Sequence, residues 1–476
     1  MPMTGTPSPA ALRALSDLLG PKGFTTDPDI MSPWLTDWRG KYRGAAAAML
    51  SPADSDETAA LVKICAEYGL PLVPQGGNSG MVGGATPDAS GAQLLVSMRR
   101  MNRVREIDTG AQLAVVEAGV ILENFHAAAL AHGLRFPLTL GGKGSATIGG
   151  LVSTNAGGTQ VLRHGTMRGL VAGIEAVLPD GSLFNGLAAL KKDNRGYDLR
   201  QLFCGAEGTL GIVTAATLQL VPAATARRTA WVGIASPDAA LQLLRRLDAA
   251  LGRALEGFEI MPQSCIESVL RNIPQTRAPL DAKTPWHVLI ELAGEDDEPL
   301  DEALRAGLEA ALDAKLIDDA VVAQNERESE EFWRIRDSIS EAERANGPAL
   351  QHDISVPVDL MPAFIAENPH RLVAEFPGAR AMSFGHLGDG NVHHHVKPPP
   401  DVDAVQWLAA NGEAVSRLVY RHVLELGGSI SAEHGIGQMK RDLLAELDSP
   451  ARLAALRGIK AGLDPRGLFN PGKLIA

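Results

Sequence analysis

The chain has 476 residues, 45% of them hydrophobic, and a formal net charge of −12. That length supplies two or three domains with large cores, and the acidic balance argues against nonspecific nucleic-acid binding. Three cysteines, Cys65, Cys204 and Cys265, lie far apart with no CxxC spacing, which fits a reducing compartment rather than a disulfide framework.

The first residues carry neither a basic n-region nor an apolar h-region. No apolar run reaches the roughly 18 residues of a membrane span. The expectation is a cytoplasmic protein with no transmembrane segment. Pro9, with apolar Ala10, Leu12, Leu15, Leu18 and Leu19, predicts an opening helix. A second follows over Asp54 to Tyr68, with Leu61, Ile64 and Cys65 on one side. Leu72-Val73-Pro74 is a short strand that runs into Gln75-Gly76-Gly77-Asn78-Ser79-Gly80 and on to Gly84. Strands follow at Leu94–Val96, Val104–Ile107 and Leu113–Glu117, then a helix from Val120 to His132. A second glycine-rich run spans Thr139 to Gly158. A strand from Gly169 to Leu178 ends in the turn Pro179-Asp180-Gly181. A third small-residue segment, Cys204 to Gly211, leads into a strand through Val221. Composition shifts at Pro222 to Thr225, the expected domain boundary. Beyond it, strands alternate with amphipathic helices such as Ala240–Leu251 and Leu300–Lys315, an α+β pattern.

Glycine lets backbone N–H groups approach a phosphate, and consecutive N–H groups form an anion nest. The first glycine run suits a pyrophosphate: it follows a strand and carries little side-chain bulk. It is neither GxGxxG nor a nucleoside-triphosphate loop. A surface loop is the alternative for one such run; three in one domain weigh against it.

Phe384 to His393, followed downstream by Glu433-His434-Gly435, gathers metal-ligand types in glycine-rich turns. His386 and His393 do not have the i,i+4 spacing of a helical zinc site. Val392 to Val396 alternates as a strand, so His393 and His395 share one face and His394 takes the other. Three adjacent histidines alone describe a chance polar strand equally well. Glu433 completes a His2Glu set, and three protein ligands with an open position is the catalytic pattern for zinc. His434 does not easily share that ion with its neighbour and is better placed as a base beside it.

The chain resembles, over essentially its whole length, the FAD-linked D-2-hydroxyacid dehydrogenases of the vanillyl-alcohol oxidase superfamily. The stretches that carry the resemblance are Gly141 to Gly158 with Arg163-His164-Gly165, Gly205 to Gly211, and Phe469-Asn470-Pro471-Gly472-Lys473. It implies an α+β fold: a two-subdomain FAD-binding domain (1–221), a substrate domain with a central antiparallel sheet (222–425), and a C-terminal segment (426–476) returning to the flavin. FAD contacts are implied for Pro74 to Gly80. In the second run they fall on Gly141, Gly144, Ser145, Ile148, Gly149 and Gly150, then on Ser153, Asn155, Gly157, Gly158 and Gly165. In the third they fall on Glu207, Gly208, Gly211 and Ile212, and at the tail on Asn470. The first loop contains no histidine, so noncovalent FAD is expected.

The same resemblance matches His386, His393 and Glu433 to the metal ligands, and His434 to the base, of the D-2-hydroxyglutarate and D-lactate dehydrogenase branch. Arg336 matches the arginine that holds a substrate carboxylate, where a planar fork suits a bidentate grip. Ser340, one turn later, matches a further substrate contact. Gln351 and His395 stand where the 2-hydroxyglutarate enzymes have lysine and asparagine. The implied reaction is oxidation of D-2-hydroxyglutarate to the 2-oxo acid by hydride transfer to flavin. D-lactate, glycolate or another D-2-hydroxy acid is the alternative. The flavin loops argue against a zinc hydrolase, and the joint presence of ligands and base argues against a noncatalytic flavin-complex subunit. The ion is expected to be zinc, with manganese, cobalt and iron compatible with the donors. The electron acceptor is expected among electron-transfer flavoprotein, quinone and cytochrome, with oxygen also open, and the chain is expected to be a homodimer.

Overall fold

A computed structural model describes residues 6–475; the leader-free reading of residues 1–5 lies outside them. The chain forms two compact units. The first runs to Gly158, resumes over His164–Ala223 and returns from Glu433 to the C-terminus; the second takes Thr159–Arg163 and Ala224–Ala432.

In the first unit, the opening helix spans Pro9–Gly23. Pro9 sits at its first position and the Ser8 side chain caps it, while Ala11, Leu15 and Leu19 face the core. The Ser55–Tyr68 helix is capped by Asp54 and stopped by Gly69 in the left-handed region, where a glycine carries no Cβ penalty. These helices pack on a four-stranded sheet ordered Phe24–Thr25, Ala48–Leu50, Leu94–Ser97, Leu72–Gln75. Its last two pairings are parallel. A five-stranded antiparallel sheet carries Val104–Asp108, Leu113–Glu117, Ile212–Gln219, Val171–Val177 and Leu183–Gly186 in that order. Two buried carboxylates stand beside it. Glu117 accepts from Arg103 and Arg105, and Glu175 accepts from Arg105, Ser55 and Thr214. All three cysteines are buried and unpaired with one another. The second glycine run is not continuous loop: Ile148–Thr154 forms a helix that buries Ile148, Leu151 and Val152. At seven residues it is too short for its periodicity to be read.

The second unit is built on a seven-stranded sheet whose named pairings are all antiparallel. The order is Asp319–Val322, Ala226–Ile234, Trp286–Gly294, Leu255–Pro262, Arg380–His386, Asn391–Lys397, Leu350–Ser355. One face packs an apolar cluster of Trp231, Met261, Leu289 and Phe384 with Phe332, Ile335 and Ile339 from two short helices. The opposite face receives Phe364, against which His394 and His422 lie edge-on or tilted. Arg163 belongs to this unit and donates to Glu256 at 2.8 Å and to the Ala293 carbonyl at 3.0 Å. Among the described residues no helix is long and apolar enough to cross a membrane.

Candidate active site and metal centre

The three glycine-rich segments and the tail meet within the first unit. A methyl group added at Gly76 would lie 2.1 Å from Thr147 Oγ1, and one at Gly77 would lie 1.7 Å from the Ser145 carbonyl oxygen. The first loop therefore packs its backbone directly on the second. Gly205 and Glu207 donate backbone hydrogen bonds to Val152 and Ser153, and Gly208 sits against Pro74. Asn470 donates its side-chain amide to the carbonyls of Gly84 (2.8 Å) and Glu207 (2.6 Å). Its backbone N–H goes to Leu72 O. The tail thus stitches the first and third loops together.

Several of these side chains serve the loops themselves. Gln75 donates to the carbonyls of Trp34 and Ala85. Asn78 donates to Thr36 O. Asn155 accepts from the Arg168 backbone N–H.

The donor set fits a dinucleotide. Among the described residues, none of the backbone N–H groups from Gly76 to Gly80 donates a hydrogen bond. Gly80 and Gly141 have nothing within 4 Å of their Cβ directions. The buried side-chain oxygens Gln75 Oε1, Thr147 Oγ1 and Asn470 Oδ1 lack a partner. Undonated backbone N–H groups beside open space are what a pyrophosphate requires. Sequence reasoning did not single out Thr147; its signal was its place at the N-cap of the Ile148 helix.

Glu207 is buried, and its carboxylate accepts from the chain that follows His434. Oε1 accepts from Ile436 N–H and Oε2 from Gly437 N–H, both at 2.7 Å. Burial pushes this carboxyl up to about 6, against the opposing pull of those two N–H groups and Lys440.

His386 ends one strand and His393 lies on the next. Between them, the turn Leu387 to Gly390 closes with Asp389 and Gly390 donating to the His386 carbonyl. Gly390 takes φ +79 and approaches Val356 O so closely that a Cβ would fall 2.1 Å from it. His386 pairs with Asn391 and Phe384 with His393 across this hairpin. Both imidazoles therefore project from the same face, with ring centroids 5.5 Å apart. One ligand atom each from His386, His393 and Glu433 can be chosen so that all lie within 4.8 Å of one another. Two nitrogens and a carboxylate oxygen at that spacing fit a divalent ion.

The same face carries a partner that sequence reasoning missed. Glu259 pairs in register with His386 on the neighbouring strand and is fully buried. Its Oε1 lies 2.5 Å from His386 Nδ1, and its Oε2 accepts from Arg336 Nε at 2.8 Å. Burial opposes the charged carboxylate, but His386 and Arg336 outweigh it and hold Glu259 at about 2. Its signal was an acidic residue inside the apolar strand Phe258-Glu259-Ile260-Met261. His393 is pushed well below its ordinary value by burial, then by the charges of His386 and Arg336, so it presents a neutral imidazole.

The remaining expected residues divide. Gln351 pairs directly with His395, and His395 with Met382, on the face that bears His393. His394 takes the other face and bonds Ser383 Oγ at 2.8 Å. Arg336 is buried in the Glu326–Asp337 helix, its guanidinium 5.3 Å from the Phe384 ring centroid. The expected single helix carrying both Arg336 and Ser340 is broken. Ser338 shares its N–H between Arg334 O and Arg336 O, and a new helix starts at Ile339. Ser340 is exposed on that second helix. His434 is half-buried beside Glu433.

Two family models match the chain: an FAD binding domain over residues 46–186 and an FAD-linked oxidase C-terminal domain over residues 223–474. The mitochondrial D-2-hydroxyglutarate dehydrogenase of Bos taurus is 38% identical over 456 residues, 96% of this chain and 81% of that protein. The one from Arabidopsis thaliana is 36% identical over 464 residues, 96% and 80%. D-2-hydroxyglutarate dehydrogenase of Xanthomonas citri pv. viticola is 35% identical over 449 residues, 94% and 93%. Among solved structures, p-cresol methylhydroxylase with substrate bound aligns with a TM-score of 0.74 at 15% identity, over 98% of this chain and 96% of that one. Alkyldihydroxyacetonephosphate synthase aligns at 0.72 and 16%, over 98% and 84%. These two establish the fold, that of the vanillyl-alcohol oxidase type of FAD protein with a C-terminal antiparallel-sheet domain. Sequence identity across nearly the full length establishes more: the chain belongs to the FAD-dependent D-2-hydroxyacid dehydrogenase family of FAD-linked oxidases.

Proposed function

We propose that this chain oxidises D-2-hydroxyglutarate to 2-oxoglutarate, with His386, His393 and Glu433 holding a divalent ion, zinc first, and the loops of the first unit holding FAD noncovalently. The convergence of two imidazole nitrogens and a carboxylate oxygen within 4.8 Å, in a chain of this family, carries the reading. Bound FAD supplies the two-electron acceptor, and a bound ion supplies Lewis acidity at the substrate's 2-hydroxyl and 1-carboxylate.

The chain's own groups supply the rest. His434 accepts the hydroxyl proton on an imidazole nitrogen, a positioned general-base step typically worth about 10²–10⁴-fold. Arg336, Ser340 and Gln351 hold the distal end of the substrate and orient C2. The Gly76–Gly80 N–H groups take the pyrophosphate, and Asn470 holds the first and third loops in register. His393, kept neutral by its surroundings, offers a nitrogen lone pair rather than a repelling charge.

One observation favours a second substrate. Gln351, a neutral side chain, stands opposite His395 in the sheet, where a lysine would add a cation for a second carboxylate. D-lactate or another D-2-hydroxy acid with an uncharged tail is the reading this supports.

The test is a panel of D- and L-2-hydroxy acids of graded length and charge, assayed for initial rate with an artificial dye acceptor. Preference for D-2-hydroxyglutarate is the expected result. Preference for D-lactate or a longer apolar D-acid would transfer the proposal to the second substrate, and no turnover of any D-acid would overturn both.

A further inference from the structure

Glu259 is a charged side chain placed where the fold would otherwise be apolar. It is fully buried on the strand Leu255–Pro262, with Phe258 and Ile260 as its chain neighbours. A buried carboxylate without charge partners is strongly unfavourable. Glu259 has one, Arg336, whose Nε donates to Oε2 at 2.8 Å, while its Oε1 lies 2.5 Å from His386 Nδ1. An ionised carboxylate only accepts hydrogen bonds. With the Arg336 guanidinium on one oxygen, the other faces His386 Nδ1, and a proton on that nitrogen leaves the Nε2 edge of the ring pointing away from Glu259. Register reinforces this: Glu259 and His386 are directly opposed on adjacent antiparallel strands, so the carboxylate restrains the ring's rotation as well as its tautomer. On its other side, the same carboxylate fixes the Nε edge of Arg336, whose guanidinium lies over Phe384.

We propose that Glu259 is the positioning residue of the metal centre, setting the tautomer and orientation of His386 and, through its second oxygen, coupling ion affinity to the placement of Arg336. This rests on the metal reading above. A purely structural ion pair would hold Arg336 without affecting ion affinity; a positioning carboxylate affects both. Hydrogen-bond partners of metal-bound histidines typically contribute about 10–100-fold in metal affinity. The coupling also predicts non-additivity. Once Glu259 is neutral, changing Arg336 has little left to transmit to His386.

The experiment compares zinc affinity, by chelator competition on the FAD-loaded full chain, for wild type, Glu259→Gln, Arg336→Ala and the double variant. FAD stoichiometry and the melting curve serve as fold controls. The amide of Glu259→Gln cannot accept from both His386 and Arg336 through its oxygen, so zinc affinity is expected to fall by about 10–100-fold with FAD content unchanged. The double variant is expected to be close to Glu259→Gln alone. Wild-type zinc affinity in Glu259→Gln would overturn the proposal while leaving the metal site intact. Failure of the wild type to bind zinc at all would instead overturn the metal reading, and this inference with it. Should Glu259→Gln not fold, ¹⁵N shifts of His386 in the wild type decide: a proton on Nδ1 is expected, and one on Nε2 would overturn the proposal.

Discussion

The dinucleotide loops and the metal hairpin are built on opposite principles. The loops in the first unit present backbone: Gly76 and Gly77 are pressed against Thr147 and Ser145, and side chains such as Gln75 and Asn470 tie loop to loop. The hairpin in the second unit presents side chains on a rigid sheet. His386 and His393 share a face, and a buried carboxylate held between His386 and Arg336 stands behind them. A backbone site tolerates changes in side-chain chemistry but not in volume. A side-chain site responds to the loss of a single functional atom.

Substitutions sharpen that contrast, and the largest effect is expected at the side-chain site. His434→Ala should lower turnover by about 10²–10⁴-fold while FAD stoichiometry and bound metal stay at wild-type levels, read by absorbance and elemental analysis. Activity within a few-fold of wild type would remove His434 from the base role. Gly77→Ala should do the reverse. Its Cβ would collide with backbone, not with the end of a flexible side chain, at a cost of about 1–3 kcal/mol. The expected readout is weakened FAD binding and a lower melting temperature with metal content unchanged. Full FAD occupancy with an unchanged melting curve would show that the loops do not pack as described.

The smallest effect lies away from both sites. Trp231 donates its indole N–H to His287 Nδ1 (3.0 Å), and His287 Nε2 faces Gln263 Oε1 (2.6 Å), an arrangement that suits only the neutral ring. Burial lowers His287 to about 4 from the model-compound value of 6.5. Between those values the unfolded chain binds the proton and the folded chain does not, so stability rises with pH across that window. The contribution is present above pH 6.5 and is lost as pH falls through 4; it is at most about 3 kcal/mol. His287→Gln should flatten that part of the pH–stability curve, measured by denaturant melts. An unchanged slope would remove His287 from the account.

Local structure was largely legible in the sequence. The Ser55–Tyr68 helix announces itself by its Asp54 cap, its buried stripe and Gly69. The alternation at residues 392–396 correctly sets His393 and His395 against His394, because a strand's period of two leaves no other choice. What was hidden is non-local. Glu259 and His386 lie 127 residues apart in sequence, and only the strand order Leu255–Pro262 beside Arg380–His386 brings them together. Glu207 reads as a flavin-loop residue, yet its carboxylate serves the backbone after His434, 229 and 230 residues on. The break at Ser338 was likewise invisible, since no proline or glycine marks it.

Metal removal tests the central claim most directly. The purified FAD-loaded chain is stripped with a chelator, and its D-2-hydroxyglutarate oxidation is measured before and after zinc is restored. The account predicts that turnover is lost with the ion while FAD stays bound, and that one equivalent of zinc per chain restores it. Undiminished turnover by the metal-free, FAD-loaded protein would contradict it.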